Sequence, residues 1–182
     1  MSGERFGEVE GYELRLAQPA DVEGARKLMF DTFYLVMGYG YVPQWHADVI
    51  GIRETYLQRP GHALFVAVDG QRVVGTAGVR AGGPKSPPCA TWLAERYADA
   101  AQLARVYVDP AHRRRGLARA LVERACAHIA DSRAYDSIYL HTDPAIEGAE
   151  PFWRELAKEV HDERGEPGGN GIIHFEIPMP AV

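Results

Sequence analysis

The first part of the chain alternates between a strand pattern and a helix pattern. Apolar and polar residues alternate over residues 12–17, as in a half-buried strand. Apolar residues then recur at helical spacing, at Val22, Ala25, Leu28, Met29 and Phe33. Residues 34–45 are rich in aromatics and contain two glycines and a proline, which predicts an irregular or short-helical connection before residues 47–57.

A β-hairpin is the clearest local prediction. Two β-rich runs, at 62–68 and 72–79, flank the dipeptide Asp69-Gly70. Asp-Gly supplies the positive φ angles that a tight hairpin turn requires. Glycines and prolines make residues 81–88 irregular, and residues 91–100 are compatible with a short helix.

The second half of the chain continues the alternation of strands and helices. The patterns predict strands at 102–108, 135–141 and 172–177, and helices at 115–130 and 150–160. Strands separated by helices indicate a sheet covered by helices rather than a sandwich or a bundle. The last apolar strand either completes this sheet or meets a partner subunit in a homodimer.

Composition favours one globular domain over the 182 residues, with residues 1–10 as a flexible tail. The apolar fraction is 46%, yet no apolar run approaches the roughly 20 residues of a membrane helix, so we expect no membrane partner. The first residues do not resemble a secretory signal, and we expect a cytoplasmic location. A net charge of −5 argues against nucleic acid binding and suits a cationic acceptor such as an amine.

Residues 106–121 form a strand, a short turn and the start of a helix in immediate succession. The first amides of a helix have no intrahelical acceptors and lie at the positive end of its dipole, so they favour a bound phosphate. Gly116 has no side chain to block that approach, and Ala118 is small. The three arginines 113–115 add cationic donors beside these amides.

This segment resembles the coenzyme A signature of the GNAT N-acetyltransferases. That signature is Arg or Gln, two residues, Gly, one residue, then Gly or Ala, and Arg113-Arg-Arg-Gly116-Leu-Ala118 matches it. The resemblance extends over about residues 12–160 in the order of elements and is close only over residues 103–122. It implies a GNAT-like α/β domain: a mixed, largely antiparallel sheet that splays between the fourth and fifth strands, with helices on both faces.

The resemblance also implies acetyl-CoA or coenzyme A as co-substrate. The splayed fourth strand would pair through its main chain with the pantetheine arm, and the amides at the helix start would surround the pyrophosphate. A later-helix tryptophan, Trp153, would flank coenzyme A. The implied binding residues are Val106, Tyr107, Val108, Arg113, Arg114, Arg115, Gly116, Leu117, Ala118 and Trp153.

The catalytic residues depart from the family pattern. Members commonly use a glutamate on the fourth strand as base and a tyrosine on the later helix as acid, but Gln102 and Trp153 stand at these places. Neither side chain exchanges a proton near neutral pH. His141, at the end of the predicted fifth strand, is our candidate base, against a structural role for a strand-end histidine. Tyr107 and Tyr139 are candidates for protonating the thiolate.

Aromatic residues between the first two predicted helices are candidates for the acceptor site. Their flat faces and polar tips would suit a small molecule or peptide amine, but they suit an ordinary packed connection equally well. These candidates are Tyr39, Tyr41, Trp45 and His46. The seven histidines are scattered, and we expect no metal site.

Two functions from different classes remain open at the level of sequence. The first is an N-acyltransferase that moves an acetyl group from acetyl-CoA to an amine, which attacks the thioester directly. The second is a catalytically silent coenzyme A sensor, which Gln102 and Trp153 at the expected acid and base positions favour.

Overall fold

The computed structural model describes residues 9–84 and 91–180, in which strands and helices alternate. The strands are β1 Glu13–Leu16, β2 Ala63–Asp69, β3 Arg72–Ala81, β4 Ala101–Val108, β5 Ile138–Thr142, β6 Lys158–Asp162 and β7 Ile173–Ile177. The α-helices are α1 Val22–Asp31, α2 Pro43–Ile50, α3 Thr91–Arg96, α4 Leu117–Ser132 and α5 Ala149–Leu156. Single π-helical turns at Thr32–Val36 and Arg53–Leu57 follow α1 and α2.

The described strands form one mixed sheet in the order β1-β2-β3-β4-β5-β7-β6. Each neighbouring pair is antiparallel except β4 and β5, which run parallel. This parallel pair is joined at only two positions, Ala101 with Ile138 and Gln102 with Tyr139. The predicted mixed sheet with a splay between the fourth and fifth strands is therefore confirmed.

Helices cover both faces of the sheet, and β2 is buried from both sides. Leu121 of α4 and Phe65 of β2 belong to the core on one face. Leu28 of α1 packs on the other face with Leu64 and Val66, the neighbours of Phe65 along β2. Successive side chains of a strand point to opposite faces, so β2 supplies both cores and reads in the sequence as a continuous apolar run.

Most of the predicted elements are present at or near their predicted bounds. The hairpin is confirmed, with Asp69 paired to Arg72 and Gly70 at φ 60°. The final strand, β7, is part of the sheet and lies inside it, between β5 and the edge strand β6. The prediction of an irregular segment at 85–88 and of a flexible tail at 1–8 concerns positions outside the described residues.

The last predicted helix is too long. The helix predicted at 150–160 ends at Leu156, because Ala157 is extended (φ −138°, ψ 158°) and the chain continues as β6. The irregular or short-helical connection predicted over residues 34–45 is helical at both ends, since a π-helical turn ends at Val36 and α2 begins at Pro43. Proline suits a first helical position because its ring fixes φ and because its missing N–H has no intrahelical partner there.

Candidate active site

The gap between β4 and β5 opens into a cavity. Beyond Gln102 and Tyr139 the two strands are no longer paired, and a cavity of about 650 Å³ occupies the space. Residues 102–107 of β4 and residues 140–143 at the end of β5 line it, together with Trp153 of α5. The main chain of β4 therefore borders the cavity over most of the strand and is available to a ligand with amide groups.

The start of α4 presents an accessible group of backbone amides. Gly116 precedes the helix in the left-handed conformation (φ 80°), and no side chain caps this end. A Cβ placed on Gly116 would meet nothing within 4 Å. Arg113, Arg114 and Arg115 are exposed beside it, and Arg113 Nε donates to the carbonyl of Val108 at 3.2 Å. Uncapped amides, positive charge and open space together suit a phosphate or pyrophosphate group.

His141 lies where β5 meets the cavity. Its Nδ1 is 3.2 Å from the hydroxyl of Tyr139 and 3.4 Å from Nε2 of Gln102. The surrounding protein, followed by His174, Arg80 and Arg105, lowers the pKa of His141 below its usual value, although the ring is exposed at the cavity. The imidazole is therefore neutral at neutral pH and can accept a proton.

The two tyrosines predicted as acids lie in different environments. Tyr139 has no exposed surface, and its hydroxyl is 2.7 Å from Nδ1 of His174. Tyr107 lines the cavity, and its hydroxyl accepts from Nη1 of Arg105 at 3.4 Å. Of the two, only Tyr107 is placed to reach a ligand in the cavity directly.

A buried ion pair, which the sequence did not reveal, fixes one wall of the cavity. Arg105, 11% exposed, donates Nε and Nη2 to the carboxylate of Asp48 at 2.9 and 2.7 Å. Tyr56 donates its hydroxyl to the same carboxylate at 2.6 Å. Burial alone would raise the pKa of Asp48, but Arg105, Arg80 and Tyr56 outweigh it and lower that pKa. The pair ties β4 to α2.

The predicted acceptor aromatics form part of the same wall. Tyr39, Trp45 and His46 line the cavity. His46 stacks on Phe33 with ring centroids 3.9 Å apart, and its Nδ1 accepts from the amide of Val42 at 2.9 Å. Burial raises the pKa of Tyr39 to about 12, so its hydroxyl stays protonated.

Tyr41 lies behind this wall. Its ring contacts Phe30 and His46, with centroid distances of 5.9 Å for both contacts, and it is not among the described residues that line the cavity. The structure thus brings together three of the four predicted acceptor residues on the cavity surface and places the fourth in the layer that supports His46.

The net charge of the chain does not describe this cavity. Its lining carries the guanidinium groups of Arg59, Arg80 and Arg105 and the carboxylates of Asp143 and Glu163. The overall charge of −5 is therefore no guide to the charge of the acceptor.

Comparison with known proteins decides the family. The model of the acetyltransferase (GNAT) family matches residues 25–157, which include β2 to β5, most of the residues that line the cavity and the start of α4. The chain belongs to the GNAT acetyltransferase family. Within it, rat N-acetyltransferase 8 is 29% identical over 144 residues, which are 75% of this chain and 59% of the rat protein. The chain thus spans about three fifths of the length of that relative.

Solved GNAT acetyltransferase structures share the fold. An acetyltransferase of the family from Staphylococcus aureus Mu50 has a TM-score of 0.69 at 16% identity, covering 92% of this chain and 99% of its own. An acetyltransferase from Streptococcus agalactiae 2603 has a TM-score of 0.66 at 16% identity, covering 92% and 98%. At this identity the likeness concerns the fold alone.

Two positions of this GNAT chain differ from the family pattern inferred from the sequence, and the structure shows what surrounds them. Gln102 is buried, and its Oε1 accepts from Nη2 of Arg80 at 3.2 Å, so its amide nitrogen is turned toward His141. Trp153 is 7% exposed, packs in the core beneath α4 and borders the cavity. Neither an amide nor an indole side chain exchanges a proton near neutral pH.

Within residues 9–84 and 91–180, no helix is long and apolar enough to cross a bilayer. The same residues contain no cluster of three or more histidine, cysteine or acidic side chains that could hold a metal ion.

Proposed function

We propose that this chain is an acetyl-CoA-dependent N-acetyltransferase that acts on an amine of a small molecule or peptide. The observation that carries the proposal is the position of His141, a neutral imidazole at the cavity where β4 and β5 separate. When bound, acetyl-CoA supplies an activated acetyl thioester. The amides and arginines at the start of α4 suit the pyrophosphate of acetyl-CoA. The unpaired edge of β4 suits its amide-bearing arm.

The arrangement supports direct transfer. The amine nitrogen gives its proton to His141, the N–C bond forms as the C–S bond breaks, and the departing thiolate takes up a proton. His141 is the acceptor of the first proton because its neutral imidazole lines the cavity where the strands separate. Tyr107 is the nearer of the two tyrosines to the cavity and is the donor that we assign to the thiolate.

The remaining site residues receive roles on the same grounds. Coenzyme A binds along Val106, Tyr107 and Val108 and at residues 113–118, beside Trp153. The acceptor lies against Tyr39, Trp45 and His46, with Tyr41 supporting the wall. All of these act within one domain, residues 1–182.

A thermal-shift titration with coenzyme A and acetyl-CoA tests ligand binding. Ligand at about 100 times its dissociation constant stabilises the fold by roughly 2.7 kcal/mol, which is about 5–11 °C for a chain of this size. The absence of a shift with both ligands would reject the proposal.

Transfer is then tested with a panel of amino acids, polyamines, aminoglycosides and peptides by the release of free thiol. His141→Ala should lower turnover and leave coenzyme A affinity unchanged. His128→Ala is the matched control, because His128 lies on α4 against Phe65 and away from this cavity. Equal turnover in both variants at every pH would refute the role of His141.

A catalytically silent coenzyme A sensor is the second candidate, and the buried, hydrogen-bonded state of Gln102 favours it. A chain that binds coenzyme A but releases no thiol with any amine of the panel would support the sensor.

A further inference from the structure

Four side chains form a continuous hydrogen-bonded line that runs from Glu163, across β7, to His141. Glu163 Oε1 is 2.8 Å from His174 Nε2, and His174 Nδ1 is 2.7 Å from the Tyr139 hydroxyl. That hydroxyl is in turn 3.2 Å from His141 Nδ1. The first three residues are 3%, 0% and 0% exposed, so the line is shielded from water until it reaches His141.

The strand register explains why these residues meet. His141 of β5 lies directly opposite His174 of β7, and Tyr139 is two residues before His141, so all three share one face of the sheet. Glu163 follows β6 on the other side of β7. Its second oxygen, Oε2, accepts from the amide of Asn170 at 2.8 Å. The carboxylate is therefore fixed at both oxygens.

The hydrogen bonds assign each proton. The carboxylate of Glu163 only accepts, so His174 carries its proton on Nε2 and its Nδ1 is an acceptor. Tyr139 must then donate its single proton to His174, which leaves its oxygen to accept from His141. His141 consequently carries its proton on Nδ1, and Nε2, on the other edge of the ring, keeps a free lone pair.

Desolvation, more than the surrounding charges, lowers the pKa values of the two histidines of this line. Burial lowers the pKa of His174, although Glu163 opposes the shift. His161 of β6, whose ring centroid is 5.7 Å from that of His174, also lowers that pKa, and Glu166 beyond it raises it. On the cavity side, Arg80 of β3 and Arg105 of β4 face His141 and disfavour its cation.

Gln102 does not reverse the assignment. Its Oε1 is held by Arg80, so it can offer only an N–H to His141 Nδ1, at 3.4 Å. This is the longest contact of the group, and Tyr139 lies closer to the same atom. If His141 were instead protonated on Nε2, its Nδ1 would accept mainly from Gln102. Which ring nitrogen carries the proton is therefore a direct test of the line.

We propose that Glu163, His174 and Tyr139 are positioning residues that hold His141 as its Nδ1–H tautomer and so direct its Nε2 lone pair to the acceptor amine. This inference rests on the proposed acetyltransferase function. Glu163 and His174 border the same cavity, but both side chains are buried, as is that of Tyr139. They act through His141, as a carboxylate orients the histidine of a hydrolase triad.

Glu163→Gln provides a specific test because it should exchange donor and acceptor in each hydrogen bond of the line. The backbone amide of Asn170 donates to the oxygen of the new glutamine side chain. The NH₂ group of that side chain therefore points at His174 Nε2. That nitrogen must then accept, His174 donates from Nδ1 to Tyr139, and Tyr139 donates to His141 Nδ1. His141 is left protonated on Nε2, where the base lone pair is needed.

The tautomers are measured by long-range ¹H–¹⁵N correlation spectra of the whole chain labelled with ¹⁵N-histidine, without substrate. We expect Nδ1–H at His141 in the wild type and Nε2–H in Glu163→Gln. An Nε2–H tautomer in the wild type, or the same tautomer in both proteins, would overturn the proposal.

Kinetics supply a second readout with a matched control. Tyr139→Phe should lower kcat roughly 10- to 100-fold, part of the contribution of a general base, while KM for acetyl-CoA changes less than about twofold. Tyr97→Phe is the control, because Tyr97 is a buried tyrosine packed on Tyr139 whose hydroxyl bonds to Glu176 outside the line. Equal kcat in the two variants would reject the positioning role.

The two proposals fail in different ways. A wild type that acetylates no amine removes the proposed function, while the tautomer spectra still test the line. An active wild type whose kcat and tautomer are unaffected by Glu163→Gln removes the line and leaves the function.

Discussion

The substitution Gly116→Glu should weaken coenzyme A binding more than it destabilises the fold. Gly116 has φ 80°, and the space around its missing Cβ is empty within 4 Å. A new side chain therefore meets no steric obstacle within the protein, and its structural cost is the left-handed backbone conformation alone, roughly 1–2 kcal/mol. For a chain of this size, we expect a fall in Tm of about 2–8 °C.

The effect on coenzyme A is larger because the carboxylate enters the space that suits the pyrophosphate. At about 6 Å from one phosphate charge, and with an effective dielectric constant of about 20–80, the repulsion is roughly 1–3 kcal/mol. This corresponds to about a 5- to 150-fold loss of affinity beyond the effect of bulk. Gly116→Gln has the same bulk without the charge, and Gly116→Ala has only the backbone strain.

Isothermal titration of the three variants with coenzyme A, beside their thermal unfolding, completes the test. We expect similar Tm values for all three and affinity in the order Ala, Gln, Glu, with the difference between Gln and Glu decreasing as salt rises. If Gln and Glu bind coenzyme A equally well, the phosphate does not lie at the start of α4 and the reasoning is wrong.

Three further predictions concern the walls of the cavity. Asp48→Ala leaves the guanidinium of Arg105 buried without its carboxylate and should lower the free energy of unfolding by about 3–5 kcal/mol in urea denaturation. Val106→Ala should cost about 1 kcal/mol of stability. Its coenzyme A affinity in calorimetry should change less than about threefold, because the main chain makes the contact. Burial lowers the pKa of His46 from 6.5 to about 4, so wild-type stability should fall as pH drops through this range, and His46→Phe should remove that part of the loss.

Each of these predictions has an outcome that contradicts it. A loss below about 1 kcal/mol for Asp48→Ala would mean that Arg105 finds another partner. A loss of affinity of about tenfold or more for Val106→Ala would assign the contact to the side chain. For His46 the sign matters: the neutral form is favoured in the folded state, so its contribution is complete above pH 6.5 and is lost toward pH 4. Parallel pH profiles for the wild type and His46→Phe would contradict it.

The elements that the sequence predicted well have local causes. Asp69-Gly70 specifies its hairpin without help from the rest of the chain, and the helical spacing around Leu121 requires only one apolar face. The start of α4 is also local, because Gly116 and the arginines before it adjoin the helix that they serve. These features made the strand, turn and helix start at residues 106–121 predictable.

The bulge in β4 has no such local signal. Arg105 adopts φ 55°, a conformation that usually calls for glycine or asparagine, and the register of β3 and β4 shifts beside it. The conformation is held by Asp48, 57 residues away in the chain. The extra residue lets Leu103 and Val106 face the same core, which strict alternation would not allow.

The line behind His141 was missed for a related reason. Its members lie on β5, on β7 and just after β6, and the sequence predicts the first part of β6 as the end of a helix. With that error, Glu163 and His174 had no predicted neighbour on β5. Only the order β5-β7-β6 brings them together.

Because β4 and β5 are paired at only two positions, the gap between them lies in the middle of the sheet and not at an edge. Some amides of β4 point into this gap, where no described strand accepts a hydrogen bond from them. Although they belong to a strand, they should exchange hydrogen with water as accessible amides do. A ligand lying along β4 would slow the same amides. Hydrogen–deuterium exchange would then report occupancy of the site from the protein alone, before any acceptor is known.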